Sequence, residues 1–144
     1  MQPHSRSRTL VYSVAAVAAV VFATGWLLMS GVESSASGVV HIGPVGFMEA
    51  LKGDSAAILV DVRTPQEFAE GHLPGAVNVE LDRLPDLAPG LLPDKNAHLL
   101  VYCRSGNRSG FAVSILDQMG YSRLVNMTGG IVQWSQKGYP VTRN

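Results

Sequence analysis

Along residues 38–144, short apolar runs alternate with longer segments of helical spacing, and the two periods predict a repeating strand–helix chain. Val39–Ile42 predicts the first strand. Pro44 suits the first turn of a helix that runs to Lys52 and closes at Gly53. Residues 57–62 form an apolar run broken only by Asp61, the pattern of a strand buried on both faces. Thr64 precedes Pro65, and Glu67 follows three residues after the threonine, which is the signature of a capping box on a short helix ending at Gly71. Residues 76–79 predict a third strand, and Asp82 is read as the cap of a short helix ahead of the 85–93 stretch, where Pro recurs. Residues 99–102 predict a fourth strand, followed by a polar loop and a helix ending near Met119 and Gly120. A fifth strand over 124–127 and a last helix over 131–137, stopped by Gly138, complete the pattern. Such alternation predicts an α/β domain: a parallel five-stranded sheet with helices on both faces. Ligands of these sheets bind beyond the carboxyl ends of the strands, where Asp61 and Cys103 both fall.

The first 37 residues follow another pattern. Arg6 and Arg8 precede an uncharged run from Leu10 to Gly31, rich in Val and Ala. A positive start followed by an apolar helix is the layout of a secretory leader. The run exceeds the ~7–15 residues of a signal core and approaches the ~20 that span a bilayer. Two readings stand: a retained anchor, which the length favours, and a signal peptide cleaved near Ala36. Both carry residues 38–144 out of the cytoplasm, to the periplasmic side, because the arginines stay inside. The domain would then be membrane-anchored, or soluble in the periplasm or secreted.

The whole chain carries 11 Lys and Arg against 11 Asp and Glu. Leaving out Arg6, Arg8 and Glu33, the domain keeps nine basic and ten acidic residues. Neither a basic face nor an aromatic-interleaved stripe points to nucleic acid. One hundred and seven residues suffice for one core and not for two. The four histidines show no close pairing, so neither a metal nor another cofactor is expected.

Cys103 is the only cysteine, so the chain can form no internal disulfide. It opens the run Cys103-Arg104-Ser105-Gly106-Asn107-Arg108-Ser109, between an apolar strand and the start of a helix. Unpaired N–H groups and the positive end of the helix dipole favour an anion there. Such surroundings lower a thiol pKa from about 8.5 to roughly 3.5–7.5. A structural cysteine sits among apolar neighbours, whereas this one is followed by polar residues suited to curl around a charge. Cys103 is therefore the predicted nucleophile, with the N–H groups from Arg104 to Ser109 stabilising it and Gly106 permitting the curl.

The loop, with four residues between Cys103 and Arg108, resembles the active-site loop of the rhodanese (sulfurtransferase) family. Asp61-Val62-Arg63-Thr64-Pro65-Gln66-Glu67-Phe68 with Gly71-His72-Leu73-Pro74-Gly75-Ala76-Val77-Asn78 resembles a first signature of that family. Gly129-Gly130-Ile131-Val132-Gln133-Trp134, then Gly138-Tyr139-Pro140-Val141, resembles its C-terminal stretch. The resemblance covers roughly residues 39–142 in order. It implies a single rhodanese domain and thiosulfate sulfurtransferase activity: Cys103 takes the outer sulfur of a donor such as thiosulfate as a persulfide and passes it to cyanide, a thiol or a protein acceptor. It further implies that Arg104 meets the donor's sulfonate and that Arg108 fixes loop shape or donor charge. Cysteine phosphatases, and with them arsenate reductases, are the enzymatic rivals, but the phosphatase loop places five residues between Cys and Arg. A sulfur-relay or protein-binding module without turnover is the non-enzymatic alternative.

Other residues carry weaker signals. Asp61 and Arg63 are possible accessory groups near the cleft, Asp61 as an orderer of loops and Arg63 paired with Glu67 at the helix start. His72, in a Gly- and Pro-rich turn, reads as structural rather than as a catalytic base. Trp134 reads as core. Asn107-Arg108-Ser109 and Asn126-Met127-Thr128 match the glycosylation triplet at chance frequency.

Overall fold

The computed structural model describes residues 38–143. The N-terminal apolar run, with its readings as anchor or signal, lies outside the described residues. Among the described residues, no helix is long and apolar enough to cross a membrane.

Five parallel strands form one sheet in the order β1-β5-β4-β2-β3, with β1 Val39–Ile42, β2 Ile58–Asp61, β3 Val77–Asn78, β4 His98–Tyr102 and β5 Arg123–Met127. The helices are α1 Pro44–Gly53, α2 Pro65–Glu70, α3 Leu84–Leu91, α4 Asn107–Gln118 and α5 Gly130–Gln136. Alternation along β4 divides the core. Leu99, Val101 and Cys103 face a cluster with Val60, Ala112, Val113 and Leu116, whereas Leu100 and Tyr102 face Phe47, Leu73, Met127 and Trp134. Helices cover both faces, as the pattern predicts.

The topology fixes where a ligand can bind. From β2 the chain moves outward to the edge strand β3, and from β4 it moves the other way to β5. Leu73, on the β2–β3 connection, packs on one face, and α4 on the other. The connections diverge between β2 and β4, which leaves a crevice at their carboxyl ends. Asp61 and Cys103 stand there, with Asp61 registered opposite Tyr102.

Thr64 caps α2 as predicted: its hydroxyl accepts from Glu67 N–H at 3.2 Å, and the Glu67 carboxylate accepts from Thr64 N–H at 3.1 Å. The 85–93 stretch departs from expectation. Asp82 caps no helix but lies in a 3-10 turn, Leu81–Arg83, and α3 then runs through the prolines. Pro85 falls in the first turn, where a missing N–H costs nothing. Leu84, Ala88 and Leu92, at helical spacing, are fully buried and offset the bond that Pro89 cannot make. Tyr121 reinforces the helix end by donating its hydroxyl to the Leu92 carbonyl at 2.7 Å, with the Ala88 carbonyl 3.2 Å away as the alternative acceptor.

Candidate active site

Leaving β4, the chain curls back over the Cys103 sulfur. The Gly106 N–H donates to Sγ at 3.1 Å, and Ser109 Oγ lies 3.5 Å from it. The Ser109 hydroxyl is also 3.2 Å from the Gly106 carbonyl, so its one proton serves one acceptor at a time. Burial pushes the Cys103 thiol up, but hydrogen bonds from the Ser109 hydroxyl and from the backbone N–H groups of Ser109, Gly106 and Ser105 outweigh it. The thiol pKa ends below its ordinary value. No cation makes a leading contribution; donors of the backbone and one hydroxyl do the work.

Two glycines make the curl possible. Gly106, the residue before α4, has φ 98°, and a Cβ there would lie 2.9 Å from Gly129 N. Gly130 opens α5, and a Cβ there would lie about 2.4 Å from the Arg104 carbonyl oxygen. That close approach lets Ile131 N–H donate to the Cys103 carbonyl at 2.9 Å and Val132 N–H to the Arg104 carbonyl at 3.2 Å. With the carbonyls drawn toward α5, the N–H groups of the loop are left for the sulfur.

The other predicted residues fall into separate roles. Asp61 is fully buried and Arg63 is 6% exposed. Arg63 donates through Nε to both carboxylate oxygens at 3.0 Å and through Nη2 to Oδ2 at 2.6 Å. Its Nη2 also reaches the Gly71 carbonyl at 2.7 Å. The expected Arg63–Glu67 pair is not formed. A fully buried carboxylate needs its counter-charge, and Arg63 turns back to Asp61 to supply it. Glu67 instead grips Arg108 in a two-pronged pair at 2.7 Å and 2.7 Å. Arg108 holds the Glu67 carboxyl down to about 2, against the opposing effect of burial. Arg108 thus spends its charge on Glu67 and ties α2 to α4, which supports loop shape rather than donor charge. Arg104, Ser105 and Asn107 are exposed on the outer side of the curl.

His72 is structural: it is buried, its Nδ1 lies 2.9 Å from the Phe68 carbonyl, and its ring stacks on Phe68 at 3.7 Å. Its backbone pairs with Thr142 in both directions. Trp134 is core, 1% exposed, with its Nε1–H on the Pro140 carbonyl. Sequence reasoning missed Glu67 as the Arg108 partner, since forty-one positions separate them. It also missed Gly130 as the spacer beneath the loop, although the Gly129-Gly130 pair was a visible signal.

Comparisons with known proteins agree with this geometry. The family described as Rhodanese-like domain matches residues 46–137. A sulfurtransferase of Allochromatium vinosum is 39% identical over 84 residues, spanning 58% of this chain and 77% of that protein. The thiosulfate sulfurtransferase PspE of Escherichia coli K12 is 39% identical over 70 residues, 49% of this chain and 67% of that protein. Among solved structures, a rhodanese-related protein from Thermoplasma volcanium superposes with TM-score 0.64 at 30% identity, covering 73% of this chain and 99% of that one. An E. coli rhodanese solved with anions gives TM-score 0.54 at 32% identity, covering 62% and 100%. The chain belongs to the rhodanese-like domain family, with sulfurtransferases among its relatives.

Proposed function

We propose that the protein is a thiosulfate sulfurtransferase working through a persulfide on Cys103. The observation that carries the reading is the Cys103 sulfur inside a curl of donors, with a lowered thiol pKa and four residues before Arg108. In the first half-reaction the Cys103 thiolate attacks the outer sulfur of thiosulfate. A new S–S bond forms, the thiosulfate S–S bond breaks, and sulfite leaves with the electron pair. The persulfide keeps one negative charge, which the N–H groups of the loop stabilise as they do the thiolate. In the second half-reaction cyanide or a thiolate takes the outer sulfur, and the pair of the breaking bond returns to Cys103. Arg104, exposed beside the nucleophile, meets the donor's sulfonate. Phosphoryl transfer fits less well, because a four-residue gap closes the ring too tightly for a phosphate.

Intact-mass measurement of the protein after thiosulfate treatment tests this reading. The expected result is a gain of one sulfur atom, removed by cyanide with release of thiocyanate. Loading without repeated turnover would favour the relay reading, and no loading would end both. We propose also that the domain acts outside the cytoplasm, on the strength of Arg6, Arg8 and the apolar run. A reporter fused after residue 144 that is active only in the cytoplasm would refute it.

A further inference from the structure

Arg63, Arg104 and Arg108 are the arginines on the two segments that leave β2 and β4 at the crevice. Two of them are already neutralised. Arg63 is bound to the fully buried Asp61. Arg108 donates through Nη1 to Glu67 Oε2 and through Nη2 to Oε1, both at 2.7 Å. A two-pronged carboxylate therefore fills the edge of the guanidinium that would suit an incoming sulfonate. Arg104 is exposed and has no carboxylate partner among the described residues.

The Glu67 carboxylate is in place before any ligand is. Thr64 N–H donates to its Oε2 at 3.1 Å as one half of the capping box, so α2 itself aims the group. Arg108 stands close to the sulfur, one residue before Ser109, whose hydroxyl is 3.5 Å from Sγ. The Arg108 pKa is raised first by its bonds to Glu67, against burial, and then by the charges of Glu67 and Cys103. Glu80 and Asp82 line a cleft of about 40 Å³ together with Arg108 and Val62, and Val62 packs in the same cluster as Cys103. One cation on the sulfur's side of the sheet thus meets three acidic residues. Both members of the Glu67–Arg108 pair are partly exposed, so a bound solute feels their charge.

We propose that Glu67 sets the charge of the sulfur donor: by holding Arg108 it withholds a cation from the donor and tilts the site from doubly charged thiosulfate toward donors with one negative charge, of which thiosulfonates (R–SO2–S⁻) are the simplest. The inference rests on the sulfur-transfer reading above and names its donor class. Whatever its approach, a donor must put its outer sulfur on Sγ. Its remaining charge then follows one S–S bond of ~2 Å behind, inside the field of the loop and of Arg108. The second charge of a dianion gains from every free cation there and loses to every carboxylate. With a thiosulfonate the Cys103 thiolate bonds to the outer sulfur, the donor's S–S bond breaks, and sulfinate leaves with the electron pair. Glu67 touches no reacting atom in this scheme; it is a positioning residue that acts through Arg108.

The test uses the full chain, with thiosulfate and methanethiosulfonate as alternative donors and cyanide as acceptor. Glu67→Gln removes the negative charge and keeps a residue that a capping box accepts. It is expected to raise the ratio of kcat/KM for thiosulfate over that for methanethiosulfonate by about three- to fivefold, the scale of one partly exposed charge pair. Adding Arg108→Gln to Glu67→Gln removes the cation as well and should return the ratio close to the wild-type value. A change of loop shape alone would move both donors together and leave their ratio where it was. Alkylation of Cys103 reads the same field without sulfur transfer: the rate with anionic iodoacetate relative to neutral iodoacetamide should rise in Glu67→Gln and fall back in the double variant. Normal loading from both donors, with neither ratio changed in Glu67→Gln, would overturn the role of Glu67 and leave sulfur transfer standing. Ratios that stay raised in the double variant would overturn Arg108 as the route. A chain that loads sulfur from neither donor, yet shows the alkylation shift, would overturn sulfur transfer and leave Glu67 as a filter of anions at Cys103.

Discussion

Two loops leave the sheet side by side at the crevice, and they are built on opposite principles. The one after β2 is sealed by side-chain charge: Asp61 and Arg63 form a buried pair, and Asn78 Nδ2 donates to the carbonyls of Asp61 and Arg63 at 3.0 and 2.9 Å. The one after β4 is lined by backbone donors and leaves the sulfur as their acceptor. A side-chain ion pair satisfies itself and offers nothing to a ligand. A curl of N–H groups converges on one sulfur and favours negative charge there, so frame and site separate by the kind of donor each uses.

The most severe way to break the site and spare the frame is Cys103→Ser. Serine forms no persulfide, so sulfur transfer should fall below detection while thermal unfolding stays close to wild type. Thiocyanate production by the serine variant would refute the assignment. The reverse experiment is Arg63→Ala, which strands the fully buried Asp61 carboxylate. Breaking a buried pair costs about 3–5 kcal/mol, to be read by urea denaturation; a loss under 1 kcal/mol would show that Asp61 is not dependent on its partner.

Glu67 joins the two loops, and its effect depends on pH. Its folded pKa, about 2, lies below its unfolded value. It therefore contributes stability that is present above the unfolded pKa and lost as pH falls through the folded one. Denaturation midpoints should decline from about pH 4.5 toward pH 2, and Glu67→Gln should flatten that decline. The pair is partly exposed, so the change near neutrality should stay around 1 kcal/mol. Arg104→Ala sharpens the comparison from the site's side. At an exposed position the loss should be about 0.5–1 kcal/mol, a two- to fivefold rise in the thiosulfate KM with cyanide handling little changed. Ser109→Ala is the mildest probe: with a donor removed, the thiol pKa rises, and the pH profile of iodoacetamide alkylation should move to higher pH.

Much of this architecture is legible in the sequence because it rests on local rules. The strands, the Thr64–Glu67 capping box and the position of Cys103 at a strand end all follow from periodicity and near neighbours. The Arg63–Glu67 expectation failed because helical spacing says nothing about a buried carboxylate two residues earlier that outbids a surface one. Prolines hid α3, in which Leu84 and Ala88, with Leu92 just after its end, are buried at every fourth position. The Glu67–Arg108 pair and the contact of α5 with the loop join distant parts of the chain, so no window of sequence could display them.

The bonds from Ile131 and Val132 to the carbonyls of Cys103 and Arg104 also set an order of events during synthesis. A nascent chain that has emerged only to Thr128 already contains every residue of the loop, yet nothing holds the carbonyls back. The last seventh of the domain must leave the ribosome and dock before Ile131 and Val132 can hold those carbonyls, so a truncated product carries every residue of the loop without that restraint.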